Sequence, residues 1–254
     1  MLKGIIKKQF NRQAKSFSSW SVTKNIEYMQ AHFDFFRMNE NDTMLDVACG
    51  TGEFSIFVAK KVKYVLGIDI SDEEIKLANE QAESNNVTNV KFICHNVEKI
   101  PCDDNSYSIT VCKSAFHHMQ NYSQVFLEML RCCKNLGRVG IQDIVAYDDK
   151  KTNDFFEGME KAIDISHNSA LSLESIVDLF KANDLKIVNE FQIEIELNFQ
   201  EYLRHAYQSE SSIRKIEKLL KFGLEDKGIS KYFIIKDDEL FFKRNVLLIL
   251  GEKM

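Results

Sequence analysis

Between residues 43 and 145, short apolar runs alternate with amphipathic stretches, the pattern of a parallel sheet whose strands are joined by crossover helices. Residues 43–48, 64–70, 90–95, 107–112 and 138–145 read as five strands. Helical spacing covers 53–61. Ser71 with Glu74 three positions on forms a capping box, which opens a second helix running to about residue 84. Residues 122–133 place Val125, Phe126, Met129 and Leu130 on one helical face. Helices are also expected over 153–165 and over 173–182, the latter capped by Ser172. Residues 185–197 alternate, with Ile187, Phe191, Ile193, Ile195 and Leu197 on one side, and predict a long strand. Helical spacing returns over 199–222, and 240–250 forms a closing apolar strand. The expectation is one α/β domain over residues 1–254 with a seven-stranded, mostly parallel sheet. Residues 1–36, irregularly helical and punctuated by Phe10, Phe17, Trp20 and Phe33, are expected to form a lid. Residues 147–182 and 199–223 are expected to supply further helical elements near the carboxyl edge.

Composition narrows the partners. A chain of 254 residues with 44% hydrophobic content can bury a sizeable core. Its net charge of -5 supplies no electrostatic drive toward nucleic-acid phosphates, so nucleic acid is not expected as a partner. Residues 1–10 contain lysines but no apolar run suited to a signal peptide, and no segment approaches the ~20 apolar residues needed to span a bilayer. A cytoplasmic protein, monomer or homodimer, is expected. Cys49, Cys94, Cys102, Cys112, Cys132 and Cys133 form no CxxC pair and no zinc spacing with histidine, so buried reduced thiols and no metal site are expected.

The candidate chemistry begins where the first strand turns into the first helix, the usual ligand position in an open α/β sheet. That turn is Ala48-Cys49-Gly50-Thr51-Gly52, whose glycines permit unusual backbone angles and close approach of a ligand. By itself such a turn can serve strand-to-helix geometry alone. Two carboxylates add specificity. Asp69 ends the second strand, where an acid accepts hydrogen bonds from ribose hydroxyls in NAD or S-adenosylmethionine (SAM) sites. Asp46, beside the glycine loop, would repel a pyrophosphate and attract the ammonium group of SAM. The dinucleotide fingerprint also asks for a third glycine where this chain has Ser55. SAM is therefore favoured over NAD.

The run Leu45-Asp-Val-Ala-Cys-Gly-Thr-Gly52 resembles the LDVGCGTG stretch of the class I SAM-dependent methyltransferases, with Ala48 replacing the first glycine. Within that family it resembles the small-molecule type 11 group, which includes quinone-biosynthesis methyltransferases. Val65-Leu-Gly-Ile-Asp-Ile-Ser71 matches the acidic second motif, and His95-Asn-Val-Glu-Lys-Ile-Pro101 matches GDAExLP with Asn96 in place of aspartate. Ser114-Ala-Phe-His-His-Met119 is similar to the SxALHH segment, and Lys134-Asn-Leu-Gly137 to the KPGG turn. Phe10 to Phe17 resembles an N-terminal FxxxAxxY segment that folds over the cofactor, while Asp164-Ile-Ser-His167 and Phe199-Gln-Glu-Tyr202 resemble elements of a bacterial subgroup.

The resemblance implies a Rossmann-like fold with a SAM-binding core over 43–145 and S-adenosylhomocysteine (SAH) as product. It implies cofactor contacts from Phe17, Asp46, Ala48, Cys49, Gly50, Gly52, Asp69, Ile70, Asn96, Val97, Glu98, Lys113, Ser114 and His118. The expected activity is in-line methyl transfer to a small molecule, with positioning supplying most of the catalysis and a base needed only where the acceptor must lose a proton. His118 and His167 are the catalytic candidates, with His117 and Asp143 nearby. Tyr202, Arg204, His205 and Tyr207 suit either an acceptor pocket or a solvated helix face. The competing readings are a non-catalytic SAM-binding protein, suggested by Ala48 and Asn96, and an NAD-dependent oxidoreductase.

Overall fold

The computed structural model describes residues 2–254. Three helices lead the chain: α1 (Leu2–Ser19), α2 (Ser21–Lys24) and α3 (Ile26–Phe35). The alternating core follows as β1 (Thr43–Val47), α4 (Glu53–Ala59), β2 (Tyr64–Asp69), α5 (Asp72–Ser84), β3 (Val90–Cys94), β4 (Tyr107–Lys113), α6 (Tyr122–Cys132) and β5 (Cys133–Ile144). Then come α7 (Lys150–Ile163), α8 (Leu173–Lys181), β6 (Leu185–Asn198), α9 (Phe199–His205), α10 (Glu210–Glu225), β7 (Phe233–Lys236) and β8 (Glu239–Lys253).

The strands form one sheet in the order β3-β2-β1-β4-β5-β8-β6, with β7 paired to β8. β1 to β5 are parallel, and β8 runs antiparallel to both β5 and β6. Strand order reverses between β1 and β4, so a crevice opens beyond their carboxyl ends. Alternation on the strands divides the core. Leu45 and Val47 pack with Val125, Phe126, Ile176 and Phe180 of α6 and α8, whereas Met44 packs with Phe36, Phe54 and Val58 on the opposite face. Each fully buried side chain of this size contributes roughly 1.5–3 kcal/mol through area removed from water. A third cluster joins α7, α9, α10 and the outer half of β8, above the crevice. Among the described residues no helix is long and apolar enough to cross a membrane.

The sheet has eight strands rather than the expected seven. Lys236 pairs with Glu239, leaving Asp237 and Asp238 at φ 48° and 63° in a two-residue hairpin turn. Positive φ at both positions is the geometry that follows strand twist, and Asp tolerates it without the glycine that would have signalled it. The expected helix over 199–222 is two helices. The chain is extended at Ala206, and Ser209 restarts α10 by accepting from the Ser212 amide at 3.2 Å. β6 forms as one strand, but a bulge between Ile187 and Asn189 breaks the expected alternation, and at the sheet edge Phe191 and Ile193 remain exposed. The six cysteines are free. Cys112, Cys132 and Cys133 are buried, whereas Cys94 at the end of β3 is exposed, contrary to expectation.

Candidate active site

The loop after β1 owes its shape to three residues in the left-handed region: Ala48 at φ 59°, Gly50 at 55° and Gly52 at 81°. A side chain at Gly52 would bring its Cβ to 2.7 Å from Phe92 and 2.9 Å from Ala78, so glycine alone lets the loop seat on β3 and α5. Ala48 stands where the resembling family has glycine, at a cost of about 1 kcal/mol for its Cβ. The loop is tied to β2 by Asp69, whose Oδ2 accepts from the Gly50 amide at 3.1 Å and whose Oδ1 accepts from the Ser71 amide at 2.9 Å. The Ser71 cap closes as expected, with its hydroxyl accepting from the Glu74 amide at 3.2 Å. Asp69 takes the reciprocal place in the box, and the Glu74 carboxyl is buried with Oε1 unpartnered. Burial and the charge of Asp69 push Glu74 well above the usual carboxylate range.

Asp46, near the end of β1, is 2% exposed and accepts from the Ser55 hydroxyl at 2.6 Å. Burial raises its pKa to about 6, with Ser55 and the charge of Lys113 pulling the other way. Lys113 ends β4 with its ammonium 4.0 Å from the centroid of Phe54 and 5.4 Å from that of Tyr28. Its pKa falls to about 8 through burial, opposed by Asp46 and Glu53. After β3, Asn96 Oδ1 accepts from the Glu98 amide at 3.1 Å and shapes the turn that presents Val97 and Glu98.

A second cluster follows β4. Asp143 Oδ2 accepts from the amides of Ala115 and Phe116 at 3.0 and 2.6 Å, and Oδ1 lies 2.5 Å from His117 Nδ1. Burial opposes a charge on His117, but the charge and hydrogen bond of Asp143 outweigh it and raise the imidazole pKa above its ordinary value. His118, with its ring 4.1 Å from that of His117, bonds through Nδ1 to Ser166 Oγ at 3.0 Å. Ser166 Oγ donates to Asp164 Oδ1 at 2.5 Å, and Gln13 of α1 donates to Asp164 Oδ2 at 2.9 Å. Gln13 thus joins α1 to this polar chain. Phe10 meets the His118 ring edge-on at 5.0 Å, and Trp20 stacks on His205 at 4.9 Å.

Most of these groups line one cavity of about 290 Å³, with Ser55, Ser71, Asp143 and Ser166 outside its lining. Of the expected cofactor residues, Phe17, Asp46, Ala48, Cys49, Gly50, Asp69, Ile70, Asn96, Val97, Glu98, Lys113, Ser114 and His118 all line it. Gly52 does not, because its place in the loop is set by packing against Phe92 and Ala78. His167 does not line the cavity either. Its side chain is 1% exposed, and its Nε2 lies 3.2 Å from both carboxylate oxygens of Glu157. Tyr202 and His205 face the cavity, whereas Arg204 and Tyr207 do not. Sequence reasoning missed Gln13, Tyr28, Glu74 and Asp164 as lining residues. Glu74 carried a signal through the capping box, and Gln13 and Asp164 lay inside the 10–17 segment and the Asp164-Ile-Ser-His167 stretch, whose resemblance did not single them out.

A glycine loop at the topological switch point, acids at the ends of β1 and β2, and a cavity beside them have the geometry of a cofactor site in an open α/β sheet. The family profile described as Methyltransferase domain matches residues 38–192, more than half of the chain. The chain belongs to this family, the SAM-dependent methyltransferases of class I. It is 26% identical over 176 residues to the uncharacterized methyltransferase YcgJ of Bacillus subtilis, covering 69% of this chain and 70% of that protein. It is 27% identical over 126 residues to the demethylmenaquinone methyltransferase of Listeria welshimeri, covering 48% of this chain and about half, 53%, of that relative. The crystal structure of YcgJ superposes with a TM-score of 0.79 at 21% identity, covering 90% of this chain and 99% of that one.

Proposed function

We propose that this methyltransferase moves the methyl group of SAM to a small-molecule acceptor bound in the apolar part of the same cavity. The observation that carries the reading is the continuity of that cavity. Loop residues Ala48 to Gly50 line it together with Phe10, Trp20, Ile195, Leu197 and Tyr202 from the roof. The roof side of the lining, with Phe10, Trp20, Ile195 and Leu197, is apolar and suits a small molecule. The likeness to demethylmenaquinone methyltransferase supports the same class of acceptor.

The donor set suits SAM by its chemistry. Asp69 with the unpartnered Glu74 Oε1 offers hydrogen-bonding groups for a ribose. Asp46 offers a buried anion for the ammonium group. Lys113, the single lysine or arginine among the described lining residues, offers a cation for the carboxylate. Asn96 and Glu98 suit the adenine edge. When bound, SAM supplies an activated methyl on a sulfonium, so the protein's share is to hold the acceptor in line and exclude water. Trp20 stacked on His205, with Tyr202 edge-on to Trp20, provides an aromatic wall for that purpose.

The test supplies methyl-labelled SAM to the full chain with separate extracts of small molecules, RNA and protein. Label in the organic-extractable fraction is expected. Label confined to RNA or protein would overturn the small-molecule reading, and SAM binding with no transfer to any fraction would favour a non-catalytic binding protein.

A further inference from the structure

We infer that the methyl acceptor is a flat compound offering a neutral tertiary or ring nitrogen, and that Phe17, Trp20, Tyr202 and His205 hold the N-methyl cation it becomes. This rests on the methyl transfer proposed above. All four rings line the cavity. Trp20 stacks on His205 at 4.9 Å, Tyr202 stands at 69° to Trp20 at 5.8 Å, and Phe17 lies 6.2 Å from Trp20 and 6.3 Å from His205. Rings meeting at such steep angles form a corner, and π faces in a corner attract a cation. Tyr202 donates its hydroxyl to Glu160 at 2.7 Å, outside the lining, so the ring is what it offers the cavity. His205 bonds through Nδ1 to the Tyr202 carbonyl. Burial holds its pKa below the ordinary imidazole value, so it brings no positive charge of its own.

The charges around the cavity agree with that corner. Asp46, Glu53, Asp69, Glu74, Glu98 and Asp164 line it, against Lys113 as the single lysine or arginine among the described lining residues. With Glu74 protonated by burial the balance is still acidic. His117 is paired with Asp143 at 2.5 Å, so that pair adds no net positive charge. Asp164 is joined through Ser166 to His118, away from the glycine loop. Three donors converge on its carboxylate, the Ser166 amide at 2.7 Å, the Ser166 hydroxyl at 2.5 Å and Gln13 at 2.9 Å, a pattern that favours the anion. A thiolate or carboxylate acceptor meets like charge here and no spare cation, since Lys113 serves the cofactor carboxylate. A neutral nitrogen meets neither penalty. Its lone pair forms the C–N bond as the C–S bond breaks with its electron pair left on sulfur. No proton is released, and the products are a neutral thioether and an N-methyl cation. Positive charge passes from sulfur to nitrogen without leaving the cavity, so the aromatic corner attracts the reacting groups throughout. A hydroxyl acceptor ends neutral and loses that attraction.

Quinoline, naphthol and naphthoate have bodies of one shape and test this with the full chain and SAM. Methylation of quinoline is expected to exceed that of the other two at least tenfold. Calorimetry with N-methylquinolinium and with uncharged methylnaphthalene gives a readout independent of turnover. The cation should bind the SAH complex at least tenfold tighter than methylnaphthalene, the scale of a desolvated cation–π contact. It should bind the SAM complex at least tenfold more weakly than the SAH complex, because the sulfonium then places a like charge in the same space. Tyr202→Leu and Trp20→Leu should each lower the preference for the cation about fivefold, whereas Tyr202→Phe keeps it. Circular dichroism of each variant checks that it is folded. Equal binding of methylnaphthalene and N-methylquinolinium, an unchanged preference in both Tyr202→Leu and Trp20→Leu, faster methylation of naphthol or naphthoate, or SAM binding without methylation of quinoline would each overturn the inference. Failure of the wild type to bind SAM would instead sink the proposed function.

Discussion

Replacing Asp46 by asparagine removes a buried charge while keeping an oxygen to accept from Ser55. Its pKa stands at about 6 in the fold against an ordinary 3.8, a difference of about two units. At about 1.4 kcal/mol per unit, the ionised carboxylate costs the folded state about 3 kcal/mol at neutral pH. The sign follows from the raised value: the penalty is complete above pH 6 and gone below about pH 4, where the group is protonated folded or unfolded. Asp46→Asn is expected to be more stable than the wild type by about 3 kcal/mol at pH 7, a rise in Tm of roughly 6–12 °C. The gain should vanish near pH 4. Thermal unfolding followed by circular dichroism across that pH range measures it, and calorimetry on the same sample should show SAH affinity at least tenfold weaker. Equal stability at pH 7, a gain that persists at pH 4, or unchanged SAH affinity would refute the assignment of Asp46 as a charge kept for the ligand.

SAH affinity of the wild type should be flat between about pH 6 and 8, weaken below as Asp46 protonates, and weaken above as Lys113 loses its proton; titration calorimetry at several pH values checks this. Gly52→Ala should destabilise by roughly 2–5 kcal/mol, from left-handed strain plus the clash with Phe92, whereas Ala48→Gly should stay within about 1 kcal/mol of the wild type in chemical denaturation. His167→Gln should lose about 1–3 kcal/mol of stability by weakening the Glu157 pairing and leave SAH affinity unchanged, by denaturation and calorimetry on one preparation.

The strands and crossover helices of the core were legible because β1, β2 and β4 are buried on both faces and α4 to α6 carry one apolar stripe, so period and burial agree. The turn at Asp237-Asp238 escaped because aspartate enters the left-handed region without a sequence signature as plain as glycine. The break at Ala206 escaped because the spacing is helical on both sides of it, and the polar run 208–212, with Ser209 as the cap, is the one mark of the restart. In the site, the residues of the loop and of the strand ends were readable because function there is tied to positions local in sequence. Gln13 and Asp164 were not, since their meeting across the crevice is a tertiary event between α1 and the end of α7. His167 sits beside Asp164 and Ser166 in sequence, but its ring turns to Glu157 and does not line the cavity.

The most direct test of the central claim is titration of the full chain with SAM, SAH and NAD, in the wild type and in Asp69→Ala. Saturable binding of SAM and SAH, no comparable binding of NAD, and at least tenfold weaker SAH binding in the variant are predicted. Absence of SAM and SAH binding, or preference for NAD, would contradict the account.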